Sequence, residues 1–169
     1  TTDIQLEHNH TLVTKLTWLE KGAGIYTAML PLHKQGKNTF VSQVNNKANT
    51  PFAINVSALT GPTQVKTVEL KASTNQLTVG SQTELTLTLT DQWDNGVEGI
   101  TAKDITINDA HIKKNLTGLT WVPKGNGTYT APTVVSIAGI HSLRATVNQI
   151  QSHNVLINAL PSTNQSHIH

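Results

Sequence analysis

Residues 16–28 read LTWLEKGAGIYTA, and residues 119–131 read LTWVPKGNGTYTA, 103 positions further along the chain. Aligned without gaps, residues 1–57 are identical to residues 104–160 at 17 of 57 positions. A spacing of about 100 residues is the length of one β-sandwich domain. Because an internal repeat outranks local propensity in deciding architecture, the sequence predicts related modules in tandem.

The two copies are unequal in extent. Thr1 aligns with Asp104, so the first copy has no counterpart of residues 62–103. A sandwich without its first strands exposes strand edges and half of its core. Three outcomes are open: the half-module is unfolded, another chain or a second fragment supplies the missing strands, or the two copies pair in trans. We expect completion by another chain. The predicted divisions are a half-module at 1–60, a complete module at 61–160 and a flexible tail at 161–169.

The composition and periodicity indicate strands. Only 13% of the residues are charged, and threonine and valine, which suit pleated surfaces, are frequent. Residues 84–90 read ELTLTLT, a strict period of two. About seven short strands per module, separated by turns, predict an all-β fold of immunoglobulin-like antiparallel sandwiches. The repeated phrase is expected to lie on strands at Leu12–Leu19, Ile25–Leu30 and 112–122.

Two motifs of the second module resemble a known family. Residues 91–99 read DQWDNGVEG, and residues 125–131 read GNGTYTA, followed by Ala138-Gly139. In this order they resemble the bacterial immunoglobulin-like (Big) domains of invasin- and intimin-like adhesins. The resemblance implies non-enzymatic, extracellular sandwich arrays of Gram-negative bacteria. Such arrays project an adhesive tip from an outer-membrane barrel, or occur in exported partners of such barrels.

The repeated aromatic residues are predicted to be structural. Aromatic residues make up only 4% of the chain, and an aromatic residue that recurs in both copies is more typical of a core than of a binding site. A tyrosine after a glycine turn packs its ring inward and bonds its hydroxyl to nearby backbone. The predicted structural residues are Trp18, Tyr26, Trp121, Gly127 and Tyr129.

Trp93 is the candidate ligand-binding residue, together with Asp94 and Asn95. It lies in a predicted turn, and an exposed tryptophan is a frequent anchor of protein interfaces. The alternative is packing against a neighbouring loop or module. Asp91, Asp94 and Asn95 could also offer oxygen ligands to calcium, but aspartate and asparagine serve turns for their own hydrogen bonds. We expect Asp91 to cap the turn.

Other classes of function find little support. The net charge is +2, without a dense basic stripe, which argues against nucleic-acid binding and electrostatic docking to membranes. No apolar run reaches the ~18 residues of a membrane span. His8-x-His10 and His167-x-His169 could capture a metal, but no third ligand is near; His8 and His111 align, which suggests packing. No catalytic motif is found, so we expect neither enzymatic activity, nor a cofactor, nor a resident metal.

The sequence thus favours a secreted or surface-attached stalk or adhesion segment of an invasin/intimin-like protein, located outside the cell or on the outer membrane. Its expected partner is a protein, either a host receptor or an outer-membrane barrel. The alternative is an exported, virulence-related protein that binds such a barrel or a host protein through an exposed β edge.

Overall fold

The computed structural model describes residues 2–162, so part of the tail predicted at 161–169 lies outside the described residues. The chain divides into two compact units, Thr1–Ser57 (unit 1) and Ala58–His169 (unit 2). The described regular structure is β, apart from short 3₁₀ helices at Pro62–Gln64 and Ala102–Asp104. The fold is therefore all-β, as the sequence predicts.

Unit 2 is a sandwich of two sheets whose strands pair antiparallel, except that β9 pairs parallel with β17. One sheet has the strand order β13-β14-β10-β8, and the other β12-β11-β15-β17-β9, with β16 paired to β15. These sheets correspond to the two layers of an immunoglobulin-like fold. Its strands are β8 (Thr67–Ala72), β9 (Gln76–Thr78), β10 (Gln82–Thr90), β11 (Thr106–Asp109), β12 (Lys114–Asn115), β13 (Val122–Gly125), β14 (Thr128–Val134), β15 (Gly139–Val147), β16 (Ile150–Gln151) and β17 (Val155–Leu160).

The core of unit 2 follows from the period of two in β10. Leu85, Leu87 and Leu89 are 0% exposed, because alternate residues of a strand point to the same side of the sheet. They pack with alternate residues of the other sheet, including Val147 and Ile157. The threonines between the leucines take the opposite side.

Unit 1 repeats the later strands of unit 2. One of its sheets has the order β2-β1-β5-β6, with β7 also paired to β5, and the other is the hairpin β3-β4. Among the described residues it has no counterpart of β8, β9 or β10. Its strands are β1 (Ile4–His8), β2 (Thr11–Leu12), β3 (Leu19–Gly22), β4 (Ile25–Thr27), β5 (Gly36–Val44), β6 (Lys47–Ala48) and β7 (Phe52–Val56).

The strand pairings of the two units agree at an offset of 103 residues, except at β1. In β5 and β7, Gly36 pairs with Val56, as Gly139 pairs with Ala159 in unit 2. In β1, however, His8 pairs with Phe40, the counterpart of Leu143, which pairs with Asp109. His8 therefore occupies the place of Asp109 and not that of His111. The two-residue difference lies in the hairpin loops, 9–10 in unit 1 and 110–113 in unit 2, and a shift of two keeps every side chain on its face.

The predicted strands at Leu12–Leu19 and 112–122 are wrong. The backbone leaves the sheet after β2 and after β12 and pairs again only at β3 and β13. Lys15 and its counterpart Gly118 have φ values of 67° and 74°, a left-handed conformation that interrupts an extended strand. The predicted strand Ile25–Leu30 is also too long, because β4 ends at Thr27.

Candidate functional site

The turn that follows β10 is organised by Asp91. This residue is 4% exposed, and its Oδ1 accepts hydrogen bonds from the backbone N–H groups of Trp93 (2.8 Å) and Asn95 (3.0 Å). The backbone N–H of Asp91 donates to the carbonyl of Asn95 at 2.8 Å. A carboxylate that accepts local backbone donors is the usual way in which aspartate fixes a turn. Asp91 therefore caps the turn and faces away from solvent.

The three predicted ligand-binding residues lie on the outside of this turn. Trp93 is 43% exposed, Asp94 is exposed and Asn95 is half-buried. Asp94 has a positive φ of 66°, which the capped turn holds in place. The turn thus presents an indole beside a carboxylate on a fixed backbone, a combination suited to binding a protein surface.

Residues 91–99 and residues 125–131 of unit 2 meet at two glycines. A Cβ built on Gly127 would lie 2.3 Å from the carbonyl oxygen of Leu89 and 2.6 Å from Cα of Gly96, and one built on Gly96 would lie 2.1 Å from the backbone of Asn126. The backbone N–H of Leu89 donates to the carbonyl of Gly127 at 2.8 Å. Both positions therefore require glycine, and the contact fastens the capped turn to the β13–β14 hairpin.

Tyr129 lies in the core and links β14 to the segment that follows the capped turn. It is 1% exposed; its hydroxyl donates to the carbonyl of Val97 at 2.8 Å and accepts from the backbone N–H of Ile100 at 3.3 Å. Burial raises the pKa of Tyr129 above its usual 10.0, and the nearby carboxylate of Glu98 adds to this effect. The hydroxyl thus holds the 97–100 segment against β14.

The remaining predicted structural aromatics are less enclosed. Trp121 is half-buried and packs against the core of unit 2, whereas Trp18 and Tyr26 are half-buried in unit 1. The Tyr26 hydroxyl lies 3.3 Å from Oγ1 of Thr2. Trp18, Tyr26 and four other residues line an open groove of about 540 Å³.

Unit 1 exposes an apolar surface that the sequence did not locate. Strand pairing places ten side chains of β1, β5 and β7 on one side of the sheet, which we call the inner face. Among the described residues of unit 1, only Asn38 and Phe40 are buried. The inner face consists of Ile4, Leu6, His8, Asn38, Phe40, Ser42, Val44, Phe52, Ile54 and Val56.

A buried polar pair in unit 2 was also missed. His141 lies with Nδ1 2.5 Å from Oδ2 of Asp109, and its Nε2 donates to the carbonyl of Ile137 at 2.6 Å. Both side chains are at most 5% exposed, and a cavity of about 100 Å³ adjoins them. The signal was present in the sequence, because His141 shares the apolar phase of β15 with Leu143.

Unit 1 has a related pair at the same place. Nε2 of His8 lies 2.6 Å from Oδ1 of the buried Asn38, and its ring stacks on Phe40 at 4.8 Å. Because His8 takes the place of Asp109 and Asn38 aligns with His141, each unit joins the same two strands by a polar contact. A structural role accounts for both pairs. Residues 2–162 contain no cluster of three or more histidine, aspartate or glutamate residues that could hold a metal.

No family model matches the sequence, and no curated protein matches it. Among solved structures, Yersinia pseudotuberculosis InvD superposes with a TM-score of 0.57 at 18% identity over 96% of this chain. FdeC, an Escherichia coli adhesin, gives 0.45 at 24% identity over 93%, and invasin, a bacterial integrin-binding protein, gives 0.48 at 14% over 94%. The chain spans 48%, 54% and 32% of those structures, respectively. The likeness to InvD supports the immunoglobulin-like fold. In the described part of the chain, no helix is long and apolar enough to cross a membrane.

Proposed function

We propose that this chain is a segment of an extracellular bacterial surface protein, in which immunoglobulin-like sandwiches in series act as a stalk and present a protein-binding surface. The observation that carries the proposal is the repeat of one fold at a 103-residue offset. Strand β5 pairs with β7 in unit 1 in the same register as β15 pairs with β17 in unit 2. Arrays of repeated modules extend a binding surface by geometry and need no catalytic group. The resemblance of residues 91–99 and 125–131 to adhesin motifs supports an adhesive role.

The binding surface we propose is the capped turn with Trp93, Asp94 and Asn95. Its backbone is held by Asp91 and by the contact between Gly96 and Gly127. A rigid loop loses little conformational entropy when it binds. Little of the free energy gained by burying the Trp93 indole against a partner is therefore spent on ordering the loop. The partner we propose is a protein on a host cell.

The test is binding of the fluorescently labelled chain to intact mammalian epithelial cells by flow cytometry. We expect saturable binding that Trp93→Ala weakens at least about tenfold, as for an interface anchor. The matched control is Ile140→Ala, because Ile140 is 60% exposed on β15 of the same unit. Both variants should unfold at the wild-type temperature. Equal loss of binding in the two variants, or no effect of Trp93→Ala, would contradict the proposed surface.

A second function is favoured by the inner face of unit 1. Its exposed apolar residues suit an exported protein that binds an outer-membrane barrel or a host protein through an open β edge. This function uses unit 1, whereas the adhesive surface uses unit 2. Variants in one unit therefore test one function without disturbing the other.

A further inference from the structure

The outer side of the β15 sheet in unit 2 carries a polar groove. Leu143 and Ala145 are buried in the core, so Arg144 between them points to the opposite side of the sheet. Its strand partner Asn108 on β11 lies on the same side. The groove has a volume of about 300 Å³ and is lined by Ala110 and by six polar side chains, those of Asn108, Ser142, Arg144, Thr146, Gln151 and Asn154.

The guanidinium of Arg144 is held in this groove by two neutral groups. Its Nε donates to Oδ1 of Asn154 at 2.8 Å, and its Nη1 donates to Oε1 of Gln151 at 3.2 Å. Among residues 2–162, no carboxylate lies within ion-pair distance of it. The two amide oxygens therefore fix the plane of the guanidinium but leave its positive charge without a counter-charge.

The other side chains of the groove offer further hydrogen bonds. The hydroxyls of Ser142 and Thr146 and the amide nitrogens of Gln151 and Asn154 bond to no other group in the described part of the chain. Of the lining residues, Ala110 alone is apolar. Because sites for apolar ligands are lined mainly by hydrophobic and aromatic side chains, a ligand that fits this groove is polar.

Unit 1 shows that the fold does not require these polar residues. Its hairpin of β5 and β6 has the same register as the hairpin of β15 and β16 in unit 2. The places of the guanidinium and its two amide partners are nevertheless taken by Val41, Ala48 and Pro51. Since the hairpin forms without the polar set, the set in unit 2 points to binding.

We propose that this groove binds the carboxylate of an acidic sugar. The planar guanidinium of Arg144 matches a carboxylate through two parallel hydrogen bonds, and its single charge matches a single carboxylate. Hydroxyl and amide side chains suit the hydroxyl groups of a saccharide ring, which both donate and accept. A peptide strand does not fit, because β15 is already paired with β11 on one side and with β17 on the other. The inference goes beyond the proposed function and uses a surface without Trp93.

The test is a nuclear magnetic resonance titration of the full ¹⁵N-labelled chain with the methyl α-glycoside of N-acetylneuraminic acid, a carboxylated sugar. We expect saturable shift changes at the amides of Arg144 and Gln151, with a dissociation constant in the millimolar range because the groove is open. The primary amide of the same glycoside has nearly the same shape but no charge. It should bind at least about tenfold more weakly, because the charge-assisted hydrogen bonds are lost.

Two variants locate the site. Arg144→Gln should weaken binding of the acid at least about tenfold. The matched control is Lys124→Gln, which removes the same charge from an exposed residue on β13 of the other sheet and should bind as the wild type does. Both side chains are exposed, so both variants should melt at the wild-type temperature. Trp93→Ala should also bind the sugar normally, so this test and the cell-binding test fail independently.

Any of four results would overturn the proposal. The first is the absence of saturable shift changes, and the second is equal binding of the acid and its amide. The third is equal binding by the wild type and Arg144→Gln. The fourth is displacement of the sugar by an equal concentration of sulfate at constant ionic strength, because it would show a general anion site that does not recognise the saccharide.

Discussion

Tyr129→Phe tests how much the hydrogen bonds of the Tyr129 hydroxyl, which join the segment after the capped turn to the core, stabilise unit 2. The substitution removes one hydroxyl and leaves the ring in place. It leaves the carbonyl of Val97 and the N–H of Ile100 without that partner, in residues that are 0% and 6% exposed. An orphaned buried polar group costs roughly 1–3 kcal/mol, so taking a value near the lower end for each of the two gives a loss of ~2–3 kcal/mol. For a unit of this size the melting temperature should fall by about 10 °C.

The assay is urea unfolding followed by tryptophan fluorescence, with Trp93 and Trp121 reporting on unit 2. Tyr26→Phe is the matched control, because the Tyr26 hydroxyl lies 3.3 Å from the exposed hydroxyl of Thr2. An exposed hydrogen bond of this kind contributes less than ~0.5 kcal/mol. The reasoning fails if Tyr129→Phe lowers the free energy of unfolding by less than ~0.5 kcal/mol, or if the two substitutions have the same effect.

The remaining predictions concern the same fold. The pKa of Tyr129 is raised by burial, so the unfolded chain loses this proton first and unit 2 should lose stability as pH rises above about 10; a pH series of melting curves should show a smaller decline in Tyr129→Phe. Gly127→Ala should cost ~3 kcal/mol, because the added Cβ meets backbone at 2.3 Å. Gly24→Ala should cost only ~1 kcal/mol for its positive φ. If urea unfolding shows the same loss of stability for both substitutions, the close backbone contact inferred at Gly127 is contradicted. His141→Ala should destabilise unit 2 by ~3–5 kcal/mol, since Oδ2 of the buried Asp109 loses its imidazole partner; a wild-type melting curve would refute this.

Much of the fold could be predicted because two periodic signals are strong in the sequence. The 103-residue repeat sets the correspondence between units, and the alternation in β10 identifies a core strand. The left-handed backbone at Lys15 could not be predicted, since lysine carries no signal for a positive φ. The ungapped alignment of the repeat also matched β1 to β11 with an error of two residues. Such an alignment cannot detect that the hairpin loop after β1 is two residues shorter than the loop after β11.

The candidate site could be predicted in part. An aspartate and a tryptophan in a turn with Asn-Gly indicate a capped, exposed loop, and the structure has that geometry around Asp91 and Trp93. That Gly127 and Gly96 touch could not be predicted, because the contact joins segments distant in sequence and depends on how the sheets pack. The inner face of unit 1 follows from strand pairing, which sets which side chains lie together.

Amide hydrogen exchange at matched positions tests the central claim most directly. The claim is that unit 2 is a closed sandwich, whereas the described residues of unit 1 repeat only its later strands and leave the inner face exposed. The free energies of exchange at Val147 and Ile157 should approach the global stability of unit 2, whereas those at Val44 and Ile54 should be lower by several kcal/mol, since their strands lack a covering layer. Equal protection at the paired positions would contradict the account, because it would mean that unit 1 is already closed.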